Sequence, residues 1–334
     1  MQFKQPPQVY NHQGKIRTVG FELEYSNLGI EESINIIQDL YGGEIQQEAR
    51  FKRHVINTSL GDFTVEFDLT LLTEKGYRKL LDPFNIRLEE VKLGSGTLEE
   101  EVETVLESIV GKIFPYEIAC PPVPVTELNK LEPLRDALFR NRAEGTQAFI
   151  TNAFGTHINV ETPDLDCETL LRYLKSFLLL YPWLIEKGKT DFARKVSPFI
   201  DPYPGIYIKK ILDKNYAPDL DKFITDYHLC NPDRNRPLDM YPLFASLRKE
   251  LVETFRDLGK VKPRNTFHYR LPNSSIAEPG WTLAQEWNLW CEIEKLANNK
   301  EKLQQLSAGY LNLREETIIG FEHKWVKKIT EWLY

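Results

Sequence analysis

The chain has 334 residues, a formal net charge of −7 at pH 7, 42% hydrophobic residues and 27% charged residues. This composition is typical of a folded globular protein, and the acidic excess argues against a general nucleic-acid binder. The cysteines are far apart and the N-terminus is polar, so we expect reduced thiols, no signal peptide, no membrane span and a cytoplasmic location.

Strand-like and helical segments alternate in the first half of the chain. Alternation of apolar and polar residues predicts strands at Ile16–Tyr25, Glu44–Glu48, His54–Asn57, Phe63–Asp68, Pro115–Cys120 and Phe154–Val160. Apolar residues that recur every three or four positions predict helices at Glu31–Tyr41, Glu74–Leu81, Leu98–Lys112 and Thr126–Arg140. From these elements we infer a largely antiparallel sheet with helices behind it.

Helices dominate the second half. They are predicted at Glu168–Glu186, Leu220–Leu229, Leu243–Leu258, Leu283–Asn298 and Lys302–Tyr334. The proline-rich stretches Ser197–Pro204 and Asn231–Pro242 are interpreted as connections or substrate-covering loops.

One strand-like segment, Arg264–Leu271, interrupts the helical half. The predicted fold class is therefore α+β, with helices behind a mainly antiparallel sheet and a helical C-terminal elaboration. We expect a single domain over residues 1–334. Its strand-rich part covers about residues 14–165, its helix-rich part covers 166–334, and the strand 264–271 returns to the sheet.

The first strand carries the most informative pattern, in Thr18–Tyr25. Because side chains alternate along a strand, Glu22 and Glu24 lie on one face and the apolar residues between them lie on the other. Two neighbouring carboxylates repel each other unless a positive charge lies between them. A divalent metal with a phosphate-bearing substrate is the common solution.

Four later segments repeat this pattern. They place polar groups on one face of a strand: Glu66 with Asp68, Glu117 before a proline pair, His157 with Asn159, and His268 with Arg270. Each segment alone is more typical of a half-solvated strand than of a site. Together they predict a polar bed on one sheet, and carboxylates with one or two imidazoles suit Mg²⁺ or Mn²⁺ better than Zn²⁺.

The order of these motifs resembles the amidoligase family, which belongs with glutamine-synthetase-like and glutamate–cysteine-ligase-like carboxylate–amine ligases. The matching elements are Gly20–Glu24, Val65–Asp68, Glu117–Pro122, Gly155–Val160 and Tyr269–Asn273. The resemblance implies a curved antiparallel sheet of the glutamine-synthetase type whose acidic face binds ATP with two or more Mg²⁺ ions. It implies that ATP phosphorylates a substrate carboxylate and that an amine or ammonia then displaces the phosphate to form an amide.

The resemblance also carries roles over to individual residues. Glu22 and Glu24 match the first metal-binding pair, Glu117 matches a later metal-binding glutamate, and His157 matches a metal-binding histidine. Arg270 matches the arginine that steadies phosphate or the acyl phosphate. Glu66 matches more loosely as part of the catalytic acidic bed.

This chain departs from the family pattern at two positions. Asn159 stands where relatives commonly have a second histidine, and it can hydrogen-bond a phosphate or substrate without carrying charge. His268 stands where glutamine-synthetase-like enzymes have a glutamate, and a neutral imidazole there can still bind metal.

Further basic candidates for nucleotide binding are Arg194, Lys195 and Arg264, although such residues are more often solvated. The chain has no Walker-type phosphate loop. The expected substrates are small-molecule or peptide carboxylates and amines, and the resemblance implies a glutamine amidotransferase as a source of ammonia. Two alternatives stay open: a non-catalytic metal- or nucleotide-binding protein on the same fold, and a metal-dependent nuclease or phosphoesterase.

Overall fold

The computed structural model describes residues 1–49, 51–67, 116–146, 154–190, 200–259, 261–317 and 319–334. Within these residues, a nine-stranded sheet has the spatial order β2-β3-β4-β5-β1-β7-β9-β8, and β6 pairs with the start of β1. The strands are β1 (Thr18–Tyr25), β2 (Glu44–Ala49), β3 (Lys52–Thr58), β4 (Gly61–Phe67), β5 (Tyr116–Ala119), β6 (Val123–Pro124), β7 (Thr156–Glu161), β8 (Leu238–Asp239) and β9 (Thr266–Tyr269). Their described pairings are antiparallel, as predicted.

In the described residues, the helices lie between the strands and after the last strand. They are α1 (Ile30–Tyr41), α2 (Glu132–Arg140), α3 (Cys167–Lys187), α4 (Gly205–Leu212), α5 (Leu220–Cys230), α6 (Tyr241–Leu247), α7 (Lys249–Glu253), α8 (Leu283–Ala297), α9 (Lys300–Glu316) and α10 (Phe321–Leu333). This confirms a mixed architecture with a large antiparallel sheet. In the part of the chain that the structure describes, the helices lack the length and apolar character that a membrane crossing requires.

The helices cover one face of the sheet. The apolar side chains of β1 that were predicted to enter a core are fully buried: Val19, Phe21, Leu23 and Tyr25. Tyr173 of α3 stacks on Phe267 of β9 with ring centroids 4.9 Å apart, and Tyr41 of α1 stacks on Phe63 of β4 at 5.2 Å. Because strand side chains alternate, the polar residues next to these core positions lie on the opposite face.

Polar caps fix where several helices begin. Asp166 accepts a hydrogen bond from the backbone N–H of Thr169 at the start of α3, and Asp219 accepts one from Lys222 at the start of α5. Such caps satisfy an N–H group that the helix itself leaves without a partner. The α3 cap orients a long helix that lies between the sheet and α9.

Several predicted boundaries are wrong. The helix predicted over Leu243–Leu258 is divided, because Arg248 has φ −143° and ψ 63° between α6 and α7, and Arg256–Leu258 forms a 3₁₀ turn. The tail helix predicted over Lys302–Tyr334 ends at Glu316 and restarts after Gly320, whose φ is 76°. The first of these helices ends because Thr317 is extended, with φ −122° and ψ 109°, and Gly320 is the cap that precedes the second.

The proline-rich segment Asn231–Pro242 is more than a connection, because it contains β8. The helices predicted at Glu74–Leu81 and Leu98–Lys112 lie outside the described residues, as do Asp68, Arg194 and Lys195.

Candidate functional site

The middle of the sheet brings the predicted polar residues together. On β1, Glu22 lies opposite His157 of β7, and Glu24 lies opposite Glu117 of β5. On the other side of β7, Asn159 lies opposite His268 of β9. The alternation of strand side chains puts these groups on the face opposite the apolar core of β1. The strands that carry them are neighbours in space but far apart in sequence.

Glu22 is held by several hydrogen-bond partners on this face. Its Oε2 atom lies 3.0 Å from Nδ1 of His157, and its Oε1 atom accepts a hydrogen bond of 2.9 Å from Nδ2 of Asn159. Oε1 also accepts a 3.2 Å hydrogen bond from Nη1 of Arg264, which extends from the segment before β9. Glu22 is 9% exposed, so these partners replace the water that a surface carboxylate would have.

The partners of Glu22 keep it ionised. Burial alone would raise the pKa of its carboxyl, but the imidazoles of His157 and His268 that face it hold the pKa well below its ordinary value. A group that interacts more strongly with the charged form than with the neutral form shows a depressed pKa. Glu22 therefore offers a permanent negative charge in a nearly dry environment.

His157 lies between the two carboxylates of β1. Its Nδ1 atom faces Glu22, and its Nε2 atom is 3.4 Å from Oε1 of Glu24. Burial lowers the pKa of His157 to about 3, although Glu22 acts in the opposite direction and Arg270 and His268 add to the lowering. The ring is therefore neutral at physiological pH, which is the form in which histidine binds metals.

Two overlapping groups have the composition of a metal site. Ligand atoms of Glu22, His157 and His268 lie within 4.8 Å of one another, and the same holds for Glu24, Glu117 and His157. Nε2 of His268 is buried and has no hydrogen-bond partner among the described residues; its distance to Oε2 of Glu22 is 3.6 Å. A buried nitrogen without a partner beside a carboxylate fits a cation between the two.

Arginines border the His268 side of the cluster. Arg264 is half-exposed, and its Nη1 atom is 3.4 Å from Oδ1 of Asn159. Arg270 of the predicted catalytic set donates from Nη1 to the backbone oxygen of Arg234 at 2.8 Å, and its charge acts on His157. On this face, the carboxylates of Glu24 and Glu117 lie on the β5 side, and the guanidinium groups of Arg264 and Arg270 lie on the β9 side.

Asp239 is a member of this region that the sequence did not reveal. It is fully buried on β8, opposite His268, and its Oδ2 atom accepts hydrogen bonds of 3.0 Å and 2.9 Å from Arg234. Nδ1 of His268 lies 3.9 Å from the same oxygen. A strand of two residues is too short to show a period of alternation. The only local sign of Asp239 in the sequence is that it stands between the apolar residues Leu238 and Met240.

Glu66 lies at the margin of the cluster. It is opposite Glu117 in the pairing of β4 with β5, but its side chain is 36% exposed and lies 3.5 Å from Nζ of Lys52. The catalytic role predicted for Glu66 stays a prediction. Arg194, Lys195 and Asp68 lie outside the described residues, so the structure places Arg264 alone of the three further basic candidates.

Gly145 supports the strand that carries Glu24. A Cβ atom at Gly145 would lie 1.7 Å from the backbone oxygen of Ser274, and the hydroxyl of Ser274 donates to the backbone oxygen of Glu24. We expect Gly145→Ala to lower the free energy of unfolding by about 1–3 kcal/mol, since backbone must move to accept the methyl group. Urea denaturation measures this change. Gly205→Ala is the control, because a Cβ atom there meets nothing within 4 Å, and equal losses in both variants would contradict the argument.

The fold and the site define a protein whose antiparallel sheet presents a buried cluster of carboxylates and imidazoles beside arginines. A family model described as "Putative amidoligase enzyme" matches residues 15–292, and the chain belongs to this family. The match includes all strands of the sheet and the residues of the cluster. Neither a curated protein nor a solved structure matches the chain.

Proposed function

We propose that the protein is an ATP-dependent ligase that joins a carboxylate to an amine and uses Mg²⁺ or Mn²⁺. The observation that carries this proposal is the paired groups around His157, with Glu22 and His268 on one side and Glu24 and Glu117 on the other. Family membership supports an amide-forming ligase in general. Phosphoryl transfer requires charge neutralisation and positioning rather than a protein nucleophile, and this face has the residues for both.

The residues present fit a divalent cation. Three carboxylates with two imidazoles form a hard donor set with borderline nitrogen ligands, which suits Mg²⁺ and particularly Mn²⁺. A neutral imidazole has one N–H and one lone pair, so His157 can ligate an ion in only one of the two groups at a time. Its 3.0 Å contact with Glu22 favours an N–H on Nδ1 and leaves Nε2 for an ion with Glu24 and Glu117. Glu22 and His268 then remain for a neighbouring ion.

A bound divalent ion would neutralise phosphate oxygens and draw electron density from the transferring phosphorus. The chain's own residues supply the remaining functions. Arg270 offers a planar donor fork beyond His268 for a phosphate or acyl-phosphate oxygen, and Arg264 is a second candidate with half of its side chain exposed. Asn159 holds Glu22 through its amide, so it orients a carboxylate without adding charge.

In the proposed reaction, a substrate carboxylate oxygen bonds to the γ-phosphorus of ATP while ADP leaves. An amine nitrogen then bonds to the carbonyl carbon, phosphate leaves, and the amine loses a proton. The proposed substrates are small-molecule or peptide carboxylates and amines, and ammonia from a glutamine amidotransferase is a candidate amine. The same proposal includes that the antiparallel sheet is of the type found in glutamine synthetase.

The test is release of ADP from ATP by the purified protein with Mg²⁺ or Mn²⁺. Amino acids and short peptides serve as acids, and ammonia and amino acids serve as amines. We expect release to require one acid and to leave an amide product detectable by mass spectrometry. ATP hydrolysis independent of any acid, or nucleic-acid cleavage without ADP release, would contradict the ligase. Metal-dependent ATP binding without turnover throughout the panel would instead favour a non-catalytic binding protein.

A further inference from the structure

A cavity lies on the helical side of the molecule, in the part of the chain that the structure describes. It has a volume of about 920 Å³, it is partly open to solvent, and it is lined by the first half of α3, the α4–α5 connection and α9. Tyr173 of α3 stacks on Phe267 of the sheet, whereas the flanking Arg172 and Lys175 line the cavity. Since Phe267 and His268 are neighbours on a strand, they point to opposite faces. The sheet and α3 therefore separate this cavity from the His157 cluster.

Two cations on α3, Arg172 and Lys175, line this cavity and are weakly paired with acids. Arg172 donates to the backbone oxygen of Ala297 and to the hydroxyl of Thr169, which fixes its guanidinium, but its Nε atom is buried without a hydrogen-bond partner among the described residues. The carboxylate of Glu168 is 4.0 Å from that Nε atom and lies closer to Lys300, at 2.5 Å. The nearest acid is thus already engaged elsewhere.

Lys175 is one helical turn from Arg172. It is half-buried, and in the described part of the chain no carboxylate forms an ion pair with it. Burial lowers the pKa of Lys175, while Asp213 at the rim raises it. A partly buried cation without a partner is costly, and a bound anion would remove that cost. Two such cations at i and i+3 form one positive patch.

The lining also has two further cations, Lys214 and Lys300, and two acids, Glu168 and Asp213, so its charged groups have a net positive charge. Much of the remaining wall is apolar. Leu171, Leu212, Leu303 and Leu311 face the cavity, together with the ring of Tyr216. The volume lies within the range of about 300–1,000 Å³ that is usual for small-molecule sites, so it is large enough for more than an inorganic ion. Apolar walls beside fixed cations favour a ligand with an apolar body and an anionic end.

We propose that this cavity binds a small amphiphilic anion, with its carboxylate or phosphate on Arg172 and Lys175 and its apolar body against the leucines of α3 and α9. This site is distinct from the proposed catalytic face and does not depend on the proposed function. Carboxylate and phosphate both present a compact negative charge with several acceptor oxygens, which is what Arg172 and Lys175 can bind.

Calorimetry of the full chain tests the proposal with octanoate and octyl phosphate, which share an apolar body and differ in the head group. We expect at least one of the two octyl compounds to bind with a Kd of about 1 mM or below. Acetate and inorganic phosphate should bind more weakly, because they lack the apolar body. Tighter binding of one octyl compound identifies its head group as the preferred one. Octylammonium, which reverses the charge, is expected not to bind.

Variants locate the binding. Lys175→Gln should weaken the affinity for the preferred octyl compound by about tenfold, and Lys175→Glu should abolish binding, because the first removes and the second reverses the charge. Lys324→Gln, which changes an exposed lysine outside the cavity, is the matched control. Absence of binding by both octyl anions, equal binding of octylammonium, or unchanged affinity in Lys175→Glu would each overturn the proposal.

Discussion

Glu24→Gln is expected to reduce Mn²⁺ affinity by more than about 100-fold, and ADP release by at least as much, without unfolding the protein. Loss of a residue that merely orients a metal ligand typically costs 10–100-fold, so loss of a ligand should exceed that. Glu24 lies 3.4 Å from Nε2 of His157 and belongs with Glu117 to one candidate ligand group. Glutamine keeps the shape and one acceptor oxygen but removes the charge.

Electron paramagnetic resonance of Mn²⁺ measures the affinity directly, so the result does not depend on having found the substrates. Glu44→Gln is the matched control, because Glu44 is exposed on β2 at the far edge of the sheet. Circular dichroism and urea denaturation show whether each variant is folded. If Glu24→Gln binds Mn²⁺ as the unchanged protein does, the group around Nε2 of His157 is not the metal site.

The residues of the acidic face could be predicted from the sequence, because strand periodicity decides which side chains share a face. Glu22 with Glu24, and His157 with Asn159, were grouped by the alternation rule alone, and the register of β1 with β7 puts Glu22 opposite His157. The core prediction for β1 succeeded for the same reason. Local pattern was sufficient wherever a strand was long enough to show its period.

Features without a local pattern were not predictable. Asp239 joins the region through the two-residue strand β8, which is defined by its pairing with β9 rather than by its own sequence. Arg264 reaches Glu22 across 242 positions of the chain, so its role depends on the tertiary fold. The cavity at Lys175 has the same origin, because three segments that are far apart in sequence line it.

The broken helices have a different cause. The apolar pattern of Leu243–Leu258 continues through Arg248, but the backbone there leaves the helical region and starts a new turn at α7. At the start of α6, the backbone oxygen of Pro242 accepts a hydrogen bond from the backbone N–H of Arg264, two residues before β9, so the orientation of α6 is tied to the sheet.

The largest effect on stability is expected for Glu294→Gln, at about 3–5 kcal/mol of lost free energy of unfolding. Both oxygens of Glu294 accept hydrogen bonds from Arg17, at 2.7 Å and 2.9 Å, and both side chains are 0% exposed. Arg17 directly precedes β1, so the pair attaches the strand of the acidic face to α8. Without the carboxylate, a guanidinium group would remain buried without an opposite charge.

Glu292→Gln is the matched control, two positions earlier on the same helix. Its partner Lys4 is 56% exposed, and an exposed pair typically contributes about 1 kcal/mol or less. Urea denaturation should therefore show a much smaller loss for Glu292→Gln than for Glu294→Gln. Similar losses in the two variants would contradict the role given to burial. The double variant Arg17→Met with Glu294→Leu should regain much of the lost stability, because removing both charges leaves none of them buried alone.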